Sequence, residues 1–204
     1  MSQSEIQNSK NVLLYPKDGK PSIIANEWLI WNGTDHGQTF PEIEREQKVL
    51  VPFQWWLSHG QAQAKDSDSE LARRIQNQTI GVWFAADDDV LKHAEVIAAG
   101  KLIWPVVGAD FPIFRDGRSF STAALLRERF HWAGEIRAIG DVLIDQLIQG
   151  ARSGFDSFAL RADQNRDVAL KQFDLFTVTT QNSWRDRRSQ LNGQLNSQAI
   201  KTSQ

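Results

Sequence analysis

Apolar and polar positions change their period along the chain. Near the N-terminus, residues 12–15, 22–25 and 28–31 (VLLY, SIIA and WLIW) are short apolar runs, the first two separated by Pro16-Lys17-Asp18-Gly19. Runs of this length bounded by turn-forming residues predict short strands, here an antiparallel ribbon. Residues 32–37 have the composition of a loop, and 42–47 that of an exposed charged segment. Residues 48–52 (KVLVP) predict a further strand, followed by a helical segment around 53–59. Between 65 and 78 the apolar stripe narrows to Leu71 and Ile75, four residues apart, which fits an exposed helix.

From Thr79 onward strands and helices alternate. Residues 79–84 predict a buried strand, and Asp87, Asp88 and Asp89 supply a cap and first-turn acids for a helix to Ala99, with Gly100 at its C′ position. Three adjacent aspartates also fit a cation site, but capping accounts for them more simply. Residues 101–107 predict the next strand and 110–118 a loop. Ser119 or Ser121 can cap a helix carrying Ala124, Leu125, Leu126 and Phe130. Residues 135–139 predict a strand, after which Gly140-Asp141 turns directly into a helix bearing Leu143, Leu147, Ile148 and Ala151 and closed by Gly154. A strand at 155–160, a helix capped by Asp163 and a final strand at 175–180 complete the pattern.

Strands alternating with helices of about ten residues imply right-handed parallel crossovers, and eight such units exceed 204 residues. The expected class is α/β: a parallel sheet of about four to five strands, open or half-barrel, with a small antiparallel N-terminal β ribbon at 11–47. The expected organisation is a single domain over 11–181, a flexible stretch at 1–10 and a disordered polar tail at 182–204.

Composition narrows the function. With 41% hydrophobic and 24% charged residues the chain reads as a soluble globular protein, and a net charge of -2 offers no footprint for nucleic acid. No run reaches the length of a membrane span and the start is polar, so the cytoplasm is the expected compartment. The chain has no cysteine, which excludes disulfides, a thiolate nucleophile and any cluster or zinc held by thiolates. Its four histidines lack metal-ligand spacing, so no metal site is expected. The eight tryptophans read chiefly as core packing. Dinucleotide, P-loop, nucleophile-elbow and kinase signatures are all missing.

In folds of this kind ligands bind outside the carboxyl ends of the parallel strands. That places Asp110, Asp116, Gly117, Arg118, Ser119, Ser121, Gly140 and Asp141 on one rim. Gly117, Arg118, Ser119 and Ser121 would form an oxyanion or phosphate cradle, with Asp116 and Asp141 orienting Arg118 or acting as acid and base. Each has a plainer structural role available: Asp116-Gly117 as a turn, the serines and Asp141 as caps, and Arg118 as partner to Asp116. Arg137 is a further oxyanion candidate. A charge inside a short strand needs a rim, a partner or solvent, and Glu135 on the same face is the partner at hand.

The stretches Asp110-Phe111-Pro112-Ile113-Phe114, Asp116-Gly117-Arg118-Ser119-Phe120-Ser121, Leu125-Leu126-Arg127-Glu128-Arg129, Gly134-Glu135-Ile136-Arg137-Ala138, Gly140-Asp141-Val142-Leu143, Asp145-Gln146-Leu147 and Gly154-Phe155-Asp156 resemble family 934 among the bacterial domains of unknown function. A weaker likeness extends from about Val49 to Gln181. Sequences of this kind are labelled oxidoreductases of sulfite reduction and are encoded beside the haem subunit of sulfite reductase. The resemblance implies an accessory or electron-coupling protein of assimilatory sulfite reduction in cysteine biosynthesis, with that subunit as partner. Sirohaem and the iron–sulfur cluster are then expected on the partner, with no cofactor evident in this chain. The alternative is a small-molecule enzyme or an oxyanion- or phosphate-binding protein of sulfur metabolism that uses the Asp116, Arg118 and Asp141 rim.

Overall fold

A computed structural model describes residues 10–33, 40, 43–175 and 183–185, together with the backbone of 6–7. Its strands are β1 (Ile6–Gln7), β2 (Asn11–Leu14), β3 (Ser22–Ala25), β4 (Trp28–Trp31), β5 (Lys48–Pro52), β6 (Ile80–Phe84), β7 (Val106–Phe111), β8 (Glu135–Val142) and β9 (Ser157–Leu160). They form one sheet in the order β1-β4-β5-β6-β7-β8-β9-β2-β3. Strands β4 to β9 are parallel neighbours in chain order, while β2 and β3 pair antiparallel beside β9.

After β5 come α1 (Phe53–Trp55), a π-helical turn (Trp56–Gly60), α2 (Gln61–Ala64) and α3 (Glu70–Gln76). Then α4 (Ala94–Gly100), α5 (Arg118–Glu128) and α6 (Leu147–Ser153) follow β6, β7 and β8, and α7 (Arg166–Gln172) follows β9. Crossovers of one hand between successive neighbours place these helices on one face.

The sheet curls because the chain requires it. β4 and β3 stand second and ninth in the strand order, yet only Asn26 and Glu27 connect them. In a flat sheet seven inter-strand steps would separate them by about 34 Å, whereas three Cα–Cα steps span at most about 11 Å. The two edges therefore approach one another, and the sheet is a mostly parallel, curled half-barrel. Val12, Trp28, Ile30, Leu50, Val106, Ile139 and Ala159 fill the inside of the curl. Gly108 lets Trp83 lie against the sheet there, since a Cβ on it would come within 2.8 Å of the Trp83 Cβ. The inside is thus a packed core rather than a pore. On the outer face Val49, Val51, Phe84, Val107, Ile136 and Ala138 alternate with those residues and pack beneath the helices.

The expected class is the observed one, with differences of detail. Six strands are parallel rather than four or five, because residues 28–31 leave the ribbon and pair with β5. Trp28, Ile30 and Trp31 are all buried, as a strand inside a parallel sheet requires. Strand β7 extends through Asp110 and Phe111, which were expected in a loop, while residues 101–104 form a turn that seats Trp104 on Gly100.

Two helix starts also move. The N-cap of α5 is Gly117 without a side-chain cap, since the Ser119 hydroxyl is buried and donates to the Asp110 carbonyl. Asn165 caps α7, because Asp163 is occupied by Arg161. Six of the tryptophans are buried, and Trp83 donates its indole N–H to the Trp31 carbonyl at 2.8 Å.

The strand expected at 175–180 lies outside the described residues beyond Leu175, as does most of 182–204. Within the expected tail, however, Arg185 donates to the carbonyls of Ala151, Tyr15 and Phe155 at 3.0, 2.5 and 2.7 Å, and Arg127 lies over the Trp184 ring. No helix among the described residues is long and apolar enough to cross a membrane.

Candidate functional site

The carboxyl ends of β7, β8 and β9 bring Asp110, Asp141 and Arg161 to one rim, where they meet the loop at residues 112–117. Arg118 folds back onto Asp116, its Nε 3.0 and 3.1 Å from the two carboxylate oxygens and its Nη2 2.6 Å from Oδ2. This pairing holds the Asp116 carboxyl below its ordinary range. Asp141 does not join them. It lies inside β8 rather than capping a helix, accepts the Phe114 N–H at 2.9 Å and pairs with Arg161 at 2.7 Å. Arg161 in turn grips Asp163 through two bonds of 2.7 and 2.8 Å.

The expected cradle is only partly assembled. Gly117 and Arg118 stand at the helix start and Ser121 is exposed, but the Ser119 hydroxyl is used internally. Arg137 lies at the opposite end of the strands, where Glu135 is its partner as the sequence pattern indicated.

The rim instead clamps a loop. The Phe114 N–H is held by Asp141 and its carbonyl accepts Gln146 Nε2 at 2.6 Å, so both polar backbone atoms of that residue are fixed. The side chains of Ile113 and Phe114 remain about half exposed. Neither Gln146 nor Arg161 was identified from sequence. Arg161 and Asp163, two apart just after a strand, carried the available signal, because the strand-end rule places them on this same rim.

The Asp110 carboxylate has no hydrogen bond among the described residues. Burial, with the charge of Asp116 adding to it, pushes its carboxyl up to about 6. Because the folded state holds this proton more tightly than the unfolded chain, stability from this group falls as pH rises from about 4 to about 6 and stays lower above. Asp110→Asn is expected to flatten that segment of a stability–pH profile measured by urea unfolding. At neutral pH it is expected to raise stability by about 1–2 kcal/mol, a figure reduced for solvent screening.

Two clefts among the described residues open at the other end of the strands. One, of about 820 Å³, is bordered by Lys17, Arg127, Trp132, Asp156 and Trp184. The other, of about 580 Å³, is bordered by Glu27, Trp28, Lys48, Glu135 and Arg137. Neither includes Asp116, Arg118 or Asp141. Among the described residues no group of three or more His, Cys, Asp or Glu side chains is arranged to hold a metal ion.

Fold and rim together define a curled α/β half-barrel that presents a clamped apolar loop at the carboxyl ends of its strands. The chain belongs to the family of bacterial proteins of unknown function DUF934, whose model matches residues 81–191, more than half of its length. No curated protein and no solved structure matches it.

Proposed function

We propose that this protein is an accessory protein of assimilatory sulfite reduction that docks on the haem-bearing subunit of sulfite reductase through the rim loop and assists electron delivery there. The observation that carries the docking role is Phe114: its backbone is fixed on both sides while its ring and the aliphatic side chain of its neighbour Ile113 stay about half exposed. Ordering a surface loop costs conformational entropy, and a loop ordered in advance lowers the cost of association. The pairs Asp116–Arg118 and Asp141–Arg161 supply a polar surround to this apolar tip, the arrangement of a protein interface. The sulfur-assimilation assignment is supported by the family resemblance. A chain without cysteine fits a role in which the partner holds the thiolate-ligated cluster.

A strain lacking the gene is expected to grow on sulfide or cysteine but not on sulfite. Complementation with Phe114→Asp, which keeps the backbone clamp and puts a charge at the tip, is expected to fail. Its capture of the purified haem subunit should drop at least about tenfold, the scale of a hot-spot residue. Normal growth of the deletion strain on sulfite would end the sulfite assignment, and undiminished capture by Phe114→Asp would end the docking surface.

One observation favours a second reading, a small-molecule enzyme or oxyanion-binding protein of sulfur metabolism working at the Asp116, Arg118 and Asp141 rim. Asp110 is a carboxyl with a raised pKa and no hydrogen bond among the described residues, the profile of an acid–base group. Under this reading Asp110→Asn abolishes complementation, whereas under docking it leaves growth intact.

A further inference from the structure

Arg137, at the opposite end of the barrel from the rim, is 3% exposed and not fully used by the fold. Its Nε and Nη2 donate to Glu135 Oε1 at 2.9 and 2.7 Å, Nε also reaches Ser157 Oγ at 3.1 Å, and Nη1 donates to Asn26 Oδ1 at 2.6 Å. A guanidinium carries five N–H groups. One on Nη1 and one on Nη2 therefore have no acceptor among the described residues. Glu135 is one-sided in the same way: Oε1 receives Arg137 and the Ser157 hydroxyl, while no donor among the described residues reaches Oε2.

These open valences belong to residues that line one cleft. It measures about 580 Å³, within the usual range of small-molecule sites. Trp28, Ile24, Pro105 and Val106 give it apolar walls, and the Lys48–Glu27 pair, closed at 2.5 Å, stands at its border. Two cations and two carboxylates leave the cleft without net charge, so an ion of either sign gains little from the site as a whole. A molecule carrying both signs on adjacent groups meets the open donors and the open acceptor together, and charge-assisted bonds are the stronger kind.

We infer that this cleft binds a small zwitterion of the amino-acid class, its carboxylate received by the open N–H groups of Arg137 and its ammonium by Glu135 Oε2, with its side chain toward Trp28 and Val106. The site is separate from the rim and independent of the docking role.

The test is an NMR titration of the full chain with each of the twenty amino acids at millimolar concentration, with acetate, methylammonium and sulfate as single-charge probes. At least one amino acid is expected to shift the Trp28 indole and the Asn77 and Gln78 amides while leaving Phe114 and Arg118 unmoved. Acetate and methylammonium should each bind at least about tenfold more weakly, having lost one charge-assisted contact. Glu135→Gln, which retains the Oε1 acceptor but not the negative charge, should reduce amino-acid binding to the level of acetate. Absence of any amino-acid response would overturn the inference. So would acetate or sulfate binding as tightly as the best amino acid, which would reveal a plain anion site.

Discussion

Arg127→Met is expected to lower the unfolding free energy by about 3–5 kcal/mol, the cost of removing one member of a buried ion pair. The Arg127 side chain is 1% exposed and, among the described residues, makes more hydrogen bonds than the exposed Arg161 does with its two carboxylates. Nε donates to the Gly154 carbonyl at 3.0 Å, and Nη1 donates to those of Trp132 and Gly134 at 2.6 and 2.9 Å. Nη2 donates to Asp156 Oδ2, which also accepts the Ile136 N–H at 3.0 Å. One side chain thereby joins the end of α5, the turn before β8 and the turn before β9. Methionine fills similar volume but leaves those carbonyls and a mostly buried carboxylate without their donor.

The same substitution should change the pH dependence of stability. Burial already raises the Asp156 carboxyl, with the charge of Arg127 opposing it. Without Arg127 the folded-state value rises further above the unfolded one, so the loss should be largest at neutral and alkaline pH and shrink as pH falls toward the ordinary carboxylate range. Arg127→Met combined with Asp156→Asn should recover part of the loss at pH 8, because a neutral amide needs no counter-charge. Urea unfolding at pH 5 and pH 8 checks both points. A loss below about 1 kcal/mol at pH 8 would show that the pair carries no more than a surface ion pair does.

Local pattern revealed the alternation of strands and helices because each element is marked by its own period and boundary residues. It did not reveal pairing. The apolar run at 28–31 looks the same in a ribbon or in a parallel sheet, and its place is set by β5, which begins at Lys48. Asp163 and Asn165 are equally good cap types two residues apart, and the choice between them rests on Arg161 having already engaged the aspartate.

The site divides along the same line. Asp116–Arg118 and Glu135–Arg137 were visible as pairs two residues apart. The Phe114 clamp depends on Asp141 and Gln146, 27 and 32 residues downstream, and only the folded chain brings them together. Arg127 was hidden differently: in the run Leu125-Leu126-Arg127-Glu128 it reads as the start of a polar face. It is buried because three carbonyls at the ends of neighbouring elements require a donor.

Gly140→Ala should cost about 3 kcal/mol and loosen the rim. Gly140 reads as a turn before a helix, but it sits within β8, paired with Phe111 of β7, where the β8–β9 register shifts between Ala138 and Val142. Its φ of +87° is one that L-residues adopt at a cost of about 1–2 kcal/mol. A Cβ would also come within 2.4 Å of both Asp110 Oδ1 and the Phe111 carbonyl oxygen. The carboxylate can swing aside, but the carbonyl belongs to the sheet, so β7 and β8 must separate at a further cost of about 1–3 kcal/mol. For a chain of this size the total corresponds to a fall in Tm of roughly 6–12 °C. Because Asp110 and Asp141 flank this point on the two strands, the separation should also release the Phe114 N–H and speed its hydrogen exchange. Asp110→Ala in the same chain removes only the softer clash and should rescue little. If Gly140→Ala unfolds within about 0.5 kcal/mol of the parent and the Phe114 amide stays protected, then the two strands do not meet there as tightly as the structure describes.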